Sequence, residues 1–227
     1  MFSAQTFDFL IENRLNNSKE WFYAHKDIYN EFVLKPLTEL SVAMGETISA
    51  MDEKIVTIPK INKTISRIYR DTRFSKDKSL FRESMWLSFK RDKKECPHYP
   101  EFFVVLNPQM LMFGCGYYWM EPKTMEKVRE MVLSDHPAYI KAQKAYDKQY
   151  VFRMEGDYYK RTKYPEESAE KREWLDKKGI CFTHYSTDFL LVFSGDLADY
   201  LCKNLVLMKD VYDFLILAEN MARGLIV

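Results

Sequence analysis

The sequence predicts an α+β fold in a single domain, residues 1–227, with an antiparallel sheet and helices packed around it. Three observations lead there. Apolar residues in the first fifty positions recur at helical spacing, the middle of the chain switches to strict alternation, and the last thirty residues return to helical spacing.

The elements follow in order. "TFDFLIENRL" offers Thr6 as an N-cap before Phe7, Leu10 and Ile11. In "NNSKEWFYAHKDIYNEF", Asn17 or Ser18 can cap a second helix, and Glu20 falls in its first turn, where the helix dipole favours an acid. Phe22, Tyr29, Val33, Leu37, Leu40, Met44, Ile48 and Met51 then make one continuous stripe, which Pro36 should bend or break. Trp21, His25, Ile28 and Phe32 make a second stripe beside it. Periodicity alone reads this as a wide buried face with His25 as a core or boundary residue. The functional alternative sends His25 and Lys26 to a site.

"MWLSFKR" alternates, with Met85, Leu87 and Phe89 on one face. "EFFVVLNP" is a β-prone run closed by a turn signal, and "MLMFGCGYYW" reads as the returning strand of a meander. Glycine inside a strand marks a bulge or a close approach of backbone, so Gly114 and Gly116 single out the third strand. They form no dinucleotide fingerprint, because the third glycine and the following helix are missing. Pro122 and Pro137 suit the first turns of two helices, with stripes Met125, Val128, Val132 and Tyr139, Ile140, Tyr146. A strand near Val151, a helix over residues 166–176 and a strand or loop at "CFTHYSTDFLLVF" come next. Leu197, Leu201, Leu205 and then Val211, Leu215, Ala218 mark a last helical pair.

Composition narrows the function. Of 227 residues, 47% are hydrophobic, enough for a sizeable core, and the net charge of +1 gives no bulk attraction to nucleic acid or an anionic membrane. No apolar run approaches the roughly 18–20 residues that span a bilayer. The first twenty residues lack the pattern of a signal peptide, and Cys96, Cys115, Cys181 and Cys202 form no C-x-x-C pair, so the expectation is a cytoplasmic protein with free thiols. Cys96-Pro97-His98 is the one close Cys/His pair, short of the two pairs of a structural zinc site; no metal and no cofactor are expected.

The sharpest functional signal is "RIYRDTRFSKDK", residues 67–78. It places Arg67, Arg70, Arg73, Lys76 and Lys78 together with only Asp71 and Asp77 to offset them. A guanidinium presents a rigid fork that matches carboxylate or phosphate oxygens. Two readings stay open on residue types alone: an anion site, or an ion-pair network whose surplus charge pairs acids elsewhere. Phe74 and Phe81 could anchor the segment in the core, and Ser75 could serve as a turn or cap.

These blocks carry a resemblance. "NNSKEWFYAHKDIYNEFVLKPL", "RIYRDTRFSKDKSLFR" and Trp119-Met120-Glu121-Pro122 resemble an uncharacterised bacterial and fungal family, domain of unknown function 2461, over about residues 4–135 and more loosely beyond. The family's usual sequence after the Asp-Lys pair resembles threonine, proline, tyrosine, lysine; here Ser79, Leu80, Phe81 and Arg82 stand there. The resemblance implies an α+β single-domain fold. It supplies no activity, cofactor or catalytic residue, and its signature centres on the same basic segment.

Two functions follow as expectations. The first is binding of, or catalysis on, a small anionic ligand, for example a phosphorylated one. Arg67, Arg70 and Arg73 would hold the anion, Lys76 or Lys78 would add charge, and Asp71 would orient a guanidinium or act as a base. Ser75 and Asp77 belong to the same cluster, and Trp21, His25 and Lys26 would line the same cleft. The second is a non-catalytic module for nucleic acid or an acidic protein surface, suggested by basic residues interleaved with aromatics from Tyr69 to Phe89. No catalytic triad spacing, metal-ligand set or phosphate-cradling glycine loop names a reaction.

Overall fold

The first helix begins one turn earlier than Thr6 suggests. Ser3 is the N-cap of α1 (Ala4–Asn16), and the Ser3 backbone N–H donates to Thr6 Oγ1 at 3.1 Å, so Thr6 sits at the third position of the first turn. The helix ends at Asn17 in a left-handed conformation (φ 49°), one that asparagine tolerates well. Ser18 caps α2 (Lys19–Ala24), accepting from the Trp21 backbone N–H. The structure is a computed structural model, and it describes residues 1–73, 76–92, 94 and 98–226. Phe74, Ser75, Lys93, Glu95, Cys96, Pro97 and Val227 lie outside the described residues.

The long apolar stripe is buried throughout, from Phe22 and Tyr29 to Ile48 and Met51. The break in its backbone comes earlier than expected from Pro36. His25 (φ −113°, ψ 18°) separates α2 from α3 (Lys26–Tyr29), and Asn30–Leu34 widen into a π turn with Lys35 N–H on the Asn30 carbonyl. Pro36 then occupies the first turn of α4 (Lys35–Met51), where its missing N–H costs nothing. The Phe32 carbonyl, four residues before Pro36, accepts the Thr6 hydroxyl at 2.6 Å in place of the N–H that proline lacks.

The meander forms as the alternation predicts: β1 (Met85–Phe89), β2 (Glu101–Leu106) and β3 (Leu111–Gly116). Asn107 makes the tight connection, its Oδ1 accepting from the Gln109 and Met110 N–H groups. The remaining elements are α5 (Pro122–Leu133), α6 (Pro137–Asp147), β4 (Arg153–Glu155), α7 (Ala169–Leu175), β5 (Cys181–Ser186), α8 (Phe189–Val192), α9 (Leu197–Leu205) and α10 (Lys209–Ala222). Pro122 and Pro137 hold first-turn positions, and Ser168 caps α7 about three residues later than expected. Ile140 is exposed and does not belong to the buried stripe of α6, whereas Tyr139 does.

The fold is α+β with an antiparallel sheet of strand order β1-β2-β3-β5-β4. The last strand in sequence thus inserts between β3 and β4, and β4 pairs with β5 in the register Met154 to Phe182. The chain gathers into two compact units. One comprises Met1–Phe89, Phe103–Phe113 and Tyr185–Cys202; the other comprises Lys90–Phe102, Gly114–His184 and Lys203–Val227. In the first, α4 packs on β1, and Leu10, Val33, Met44, Ile48, Phe81 and Leu87 form the core. In the second, α10 packs against α5 and α6, α5 also meets α7, and Trp174, Phe182 and Phe214 fill the centre. Among the described residues no helix is long and apolar enough to cross a membrane.

Candidate functional site: the basic hairpin

The basic segment is neither a helix nor a free loop. Residues 64–70 run antiparallel to residues 80–88 as the two arms of a hairpin, and the basic residues cluster at its tip. Ser88 N–H donates to the Thr64 carbonyl, Ser66 N–H to Trp86, Arg82 N–H to Ile68 and Arg70 N–H to Leu80, all at 2.8–2.9 Å. The inward face carries Ile65, Ile68, Phe81, Met85 and Leu87, all buried. Phe81, Met85 and Leu87 share one parity on the second arm, whereas Ile65 and Ile68 on the first do not, and Arg67 between them is exposed.

An aromatic cluster ties this hairpin to α2. Phe81 is fully buried and lies 5.1 Å from the Phe22 ring and 5.0 Å from the Tyr69 ring, measured between centroids. Phe22 in turn meets Tyr69 at 5.7 Å. Burial, with a hydrogen bond that Tyr69 donates to Tyr23, pushes the Tyr69 hydroxyl up to about 12, and burial does the same to Tyr29. Polar contacts add to the join. Leu80 N–H donates to Asn17 Oδ1 at 2.7 Å, and Arg14 in the last turn of α1 reaches Asp77 Oδ2 at 2.9 Å. Neither Arg14 nor Asn17 stands out by sequence as a site residue, because each partner is 63 residues away.

At the tip the two carboxylates organise the cations. Asp71 takes a bidentate grip from Arg73, with Nε on Oδ1 at 3.0 Å and Nη2 on Oδ2 at 2.7 Å, and Arg67 stands 3.8 Å from the same Oδ2. Asp77 accepts the Ser79 N–H at 2.9 Å, while Arg14 and Arg70 converge on its Oδ2 at 2.9 and 3.3 Å. Lys78 donates to the Thr72 carbonyl at 2.7 Å. Arg67, Arg73, Lys76 and Lys78 are exposed and Arg70 half-buried. Four guanidiniums thus approach two carboxylates, and Lys76, Lys78 and Arg82 add further positive charge nearby. Ser75 and Phe74 lie outside the described residues, so their expected roles do too.

Both carboxyls are held below their ordinary range. The Arg73 hydrogen bonds do this for Asp71; for Asp77 the main cause is the Ser79 backbone N–H, with Arg14 and Arg70 adding to it. A depressed folded-state pKa stabilises the fold above the unfolded value and loses that contribution as pH falls. Amide-exchange protection at Arg70 and Arg82 is therefore expected to fall below about pH 4, the ordinary carboxylate value. Protection that persists unchanged down to about pH 2.5 would contradict the role given to these two acids.

Trp21 and His25 go elsewhere. They stack at 4.0 Å with an 18° interplanar angle and line a hollow with Asp8, Phe9 and Glu12 of α1, which among the described residues contains none of the basic segment. The second stripe is not a buried face: Ile28 is exposed, and Trp21, His25 and Phe32 are half-buried around this hollow. Lys26 is exposed at the start of α3. Among the described residues the two signature blocks meet through Asn17, Phe22 and Tyr23 rather than through Trp21, His25 or Lys26. Among the described residues no group of His, Cys, Asp and Glu is arranged to hold a metal ion.

A family model described as a conserved hypothetical protein, DUF2461, matches residues 5–214. The chain belongs to the DUF2461 family. The match reaches from α1 into the first half of α10 and includes the hairpin whole. No curated protein is significantly similar to the chain. Leu80 supplies the N–H that Asn17 accepts. Proline at position 80 would carry no such donor and would remove the Asn17 contact.

Proposed function

We propose that this DUF2461 protein binds a small anionic, phosphorylated ligand at the tip of the hairpin, through Arg67, Arg70, Arg73, Lys76 and Lys78. Asp71 and Asp77 orient the guanidiniums. The carrying observation is the convergence of Arg14 and Arg70, from two different elements, on a single oxygen of Asp77, and of Arg67 and Arg73 on Asp71. Such convergence on an oxygen is what a phosphate group requires, and the cations outnumber the carboxylates that hold them. We place the protein in the cytoplasm; Cys115, Cys181 and Cys202 as free thiols support a reducing compartment.

Arg70→Ala separates this reading from a purely structural network. Asp77 keeps Arg14 and the Ser79 N–H when Arg70 is removed, and Arg70 is half-exposed, so the melting temperature should move by no more than about 2–4 °C. Affinity for inorganic phosphate or a mononucleotide should fall about tenfold or more, the value of one charged hydrogen bond. Thermal melts with and without ligand read both quantities. A large melting drop in Arg70→Ala, with no ligand-induced rise in the wild type, would reject the site. An oligonucleotide that binds far more tightly than a mononucleotide, with a steep salt dependence, would favour the nucleic-acid reading instead.

A further inference from the structure

The hollow beside Trp21 has the opposite electrostatic character from the hairpin. Its volume is about 180 Å³, too small for a nucleotide and matched to one short aliphatic group with a polar head. Buried Phe9 with Phe32 and Ile28 gives it apolar walls, and Asp8 and Glu12, one helical turn apart on α1, are exposed at its edge. No ion-pair partner is found for either carboxylate among the described residues. The aromatic wall is fixed before any ligand arrives. Ser18 accepts the Trp21 N–H, and His25 Nδ1–H donates to the Trp21 carbonyl at 2.8 Å, which holds the two rings in their stack.

We infer that this hollow is a second binding site, for an alkylammonium or alkylguanidinium group, with the chain against Phe9, Phe32 and the Trp21–His25 pair and the cation at Asp8 and Glu12. Aromatic faces and carboxylates both attract a cation, while the apolar walls reject a bare metal ion and the acids reject an anion. The site stands apart from the hairpin and does not depend on the phosphate reading.

The test follows the indole N–H signal of Trp21 by NMR, identified by its loss in Trp21→Phe. Butylammonium and butylguanidinium should shift it saturably, while butanol and butyrate should leave it in place. Asp8→Asn with Glu12→Gln, both at exposed positions, should keep the fold and weaken butylammonium binding by roughly fivefold or more. Nα-acetyl-lysine methylamide distinguishes the source of the group. Binding equal to butylammonium assigns a side chain of a peptide, and binding of butylammonium alone assigns a free amine; both outcomes support the site. Equal shifts with butanol and butylammonium, or no shift with either, would overturn it.

Discussion

Phe81→Ala is expected to cost about 3–5 kcal/mol, the range for truncating a buried phenylalanine, and to lower the melting temperature on the order of 10 °C. Phe81 is fully buried, and its ring is the common contact of Phe22 and Tyr69. Its removal leaves a cavity between the second helix and the hairpin, where the two specific sequence blocks meet. The effect should therefore extend beyond global stability. The Arg70 and Arg82 amides, whose hydrogen bonds flank Phe81 across the arms, should lose exchange protection before the rest of the chain unfolds. Thermal unfolding followed by circular dichroism, with amide exchange at these two positions, checks both parts. A drop of under about 3 °C with protection intact would show that Phe81 does not hold the hairpin to α2.

Gly156→Ala is expected to be comparably damaging for a different reason. Gly156 follows β4 at φ +136°, where L side chains are strained, and an added Cβ would sit 2.0 Å from the Gly179 carbonyl oxygen. That neighbour is backbone and cannot swing aside. Strain and overpacking together cost roughly 2–6 kcal/mol. The chain must part from residue 179, just before β5, and the pairing of β4 with β5 is what should fail first. Exchange at Met154 and Phe182 should rise with little change at Arg70 and Arg82. A variant with wild-type melting would mean the backbone near Gly156 relaxes without cost.

What the sequence made legible was local. Met85, Leu87 and Phe89 alternate, and the stripe from Phe22 to Met51 repeats at helical steps, because each pattern is set by the geometry of its own element. The insertion of β5 between β3 and β4 has no such local mark; it depends on strand pairing across some 65 residues of chain. The site followed the same division. The basic run and its two aspartates were visible, but their partners were not. Arg14 and Asn17 lie at the end of α1 with nothing in their surroundings to announce a carboxylate or an N–H arriving from residues 77 and 80. Trp21 and His25 follow helical spacing, which fixes the side of the helix they occupy but not whether a neighbour covers it; here a hollow does.

The most direct measurement is a calorimetric titration of the wild-type protein with inorganic phosphate and a mononucleotide, beside the same titration of Arg67→Ala and Lys76→Ala. Both substitutions are at exposed positions of the hairpin tip, where they leave the aromatic anchor untouched. A saturable site in the wild type, weakened in both variants while their melting temperatures stay within a few degrees of it, is the predicted result. Wild-type protein that takes up neither ligand, or binding that both variants retain at full strength, would contradict an anion site at the hairpin and leave the cluster as an ion-pair network.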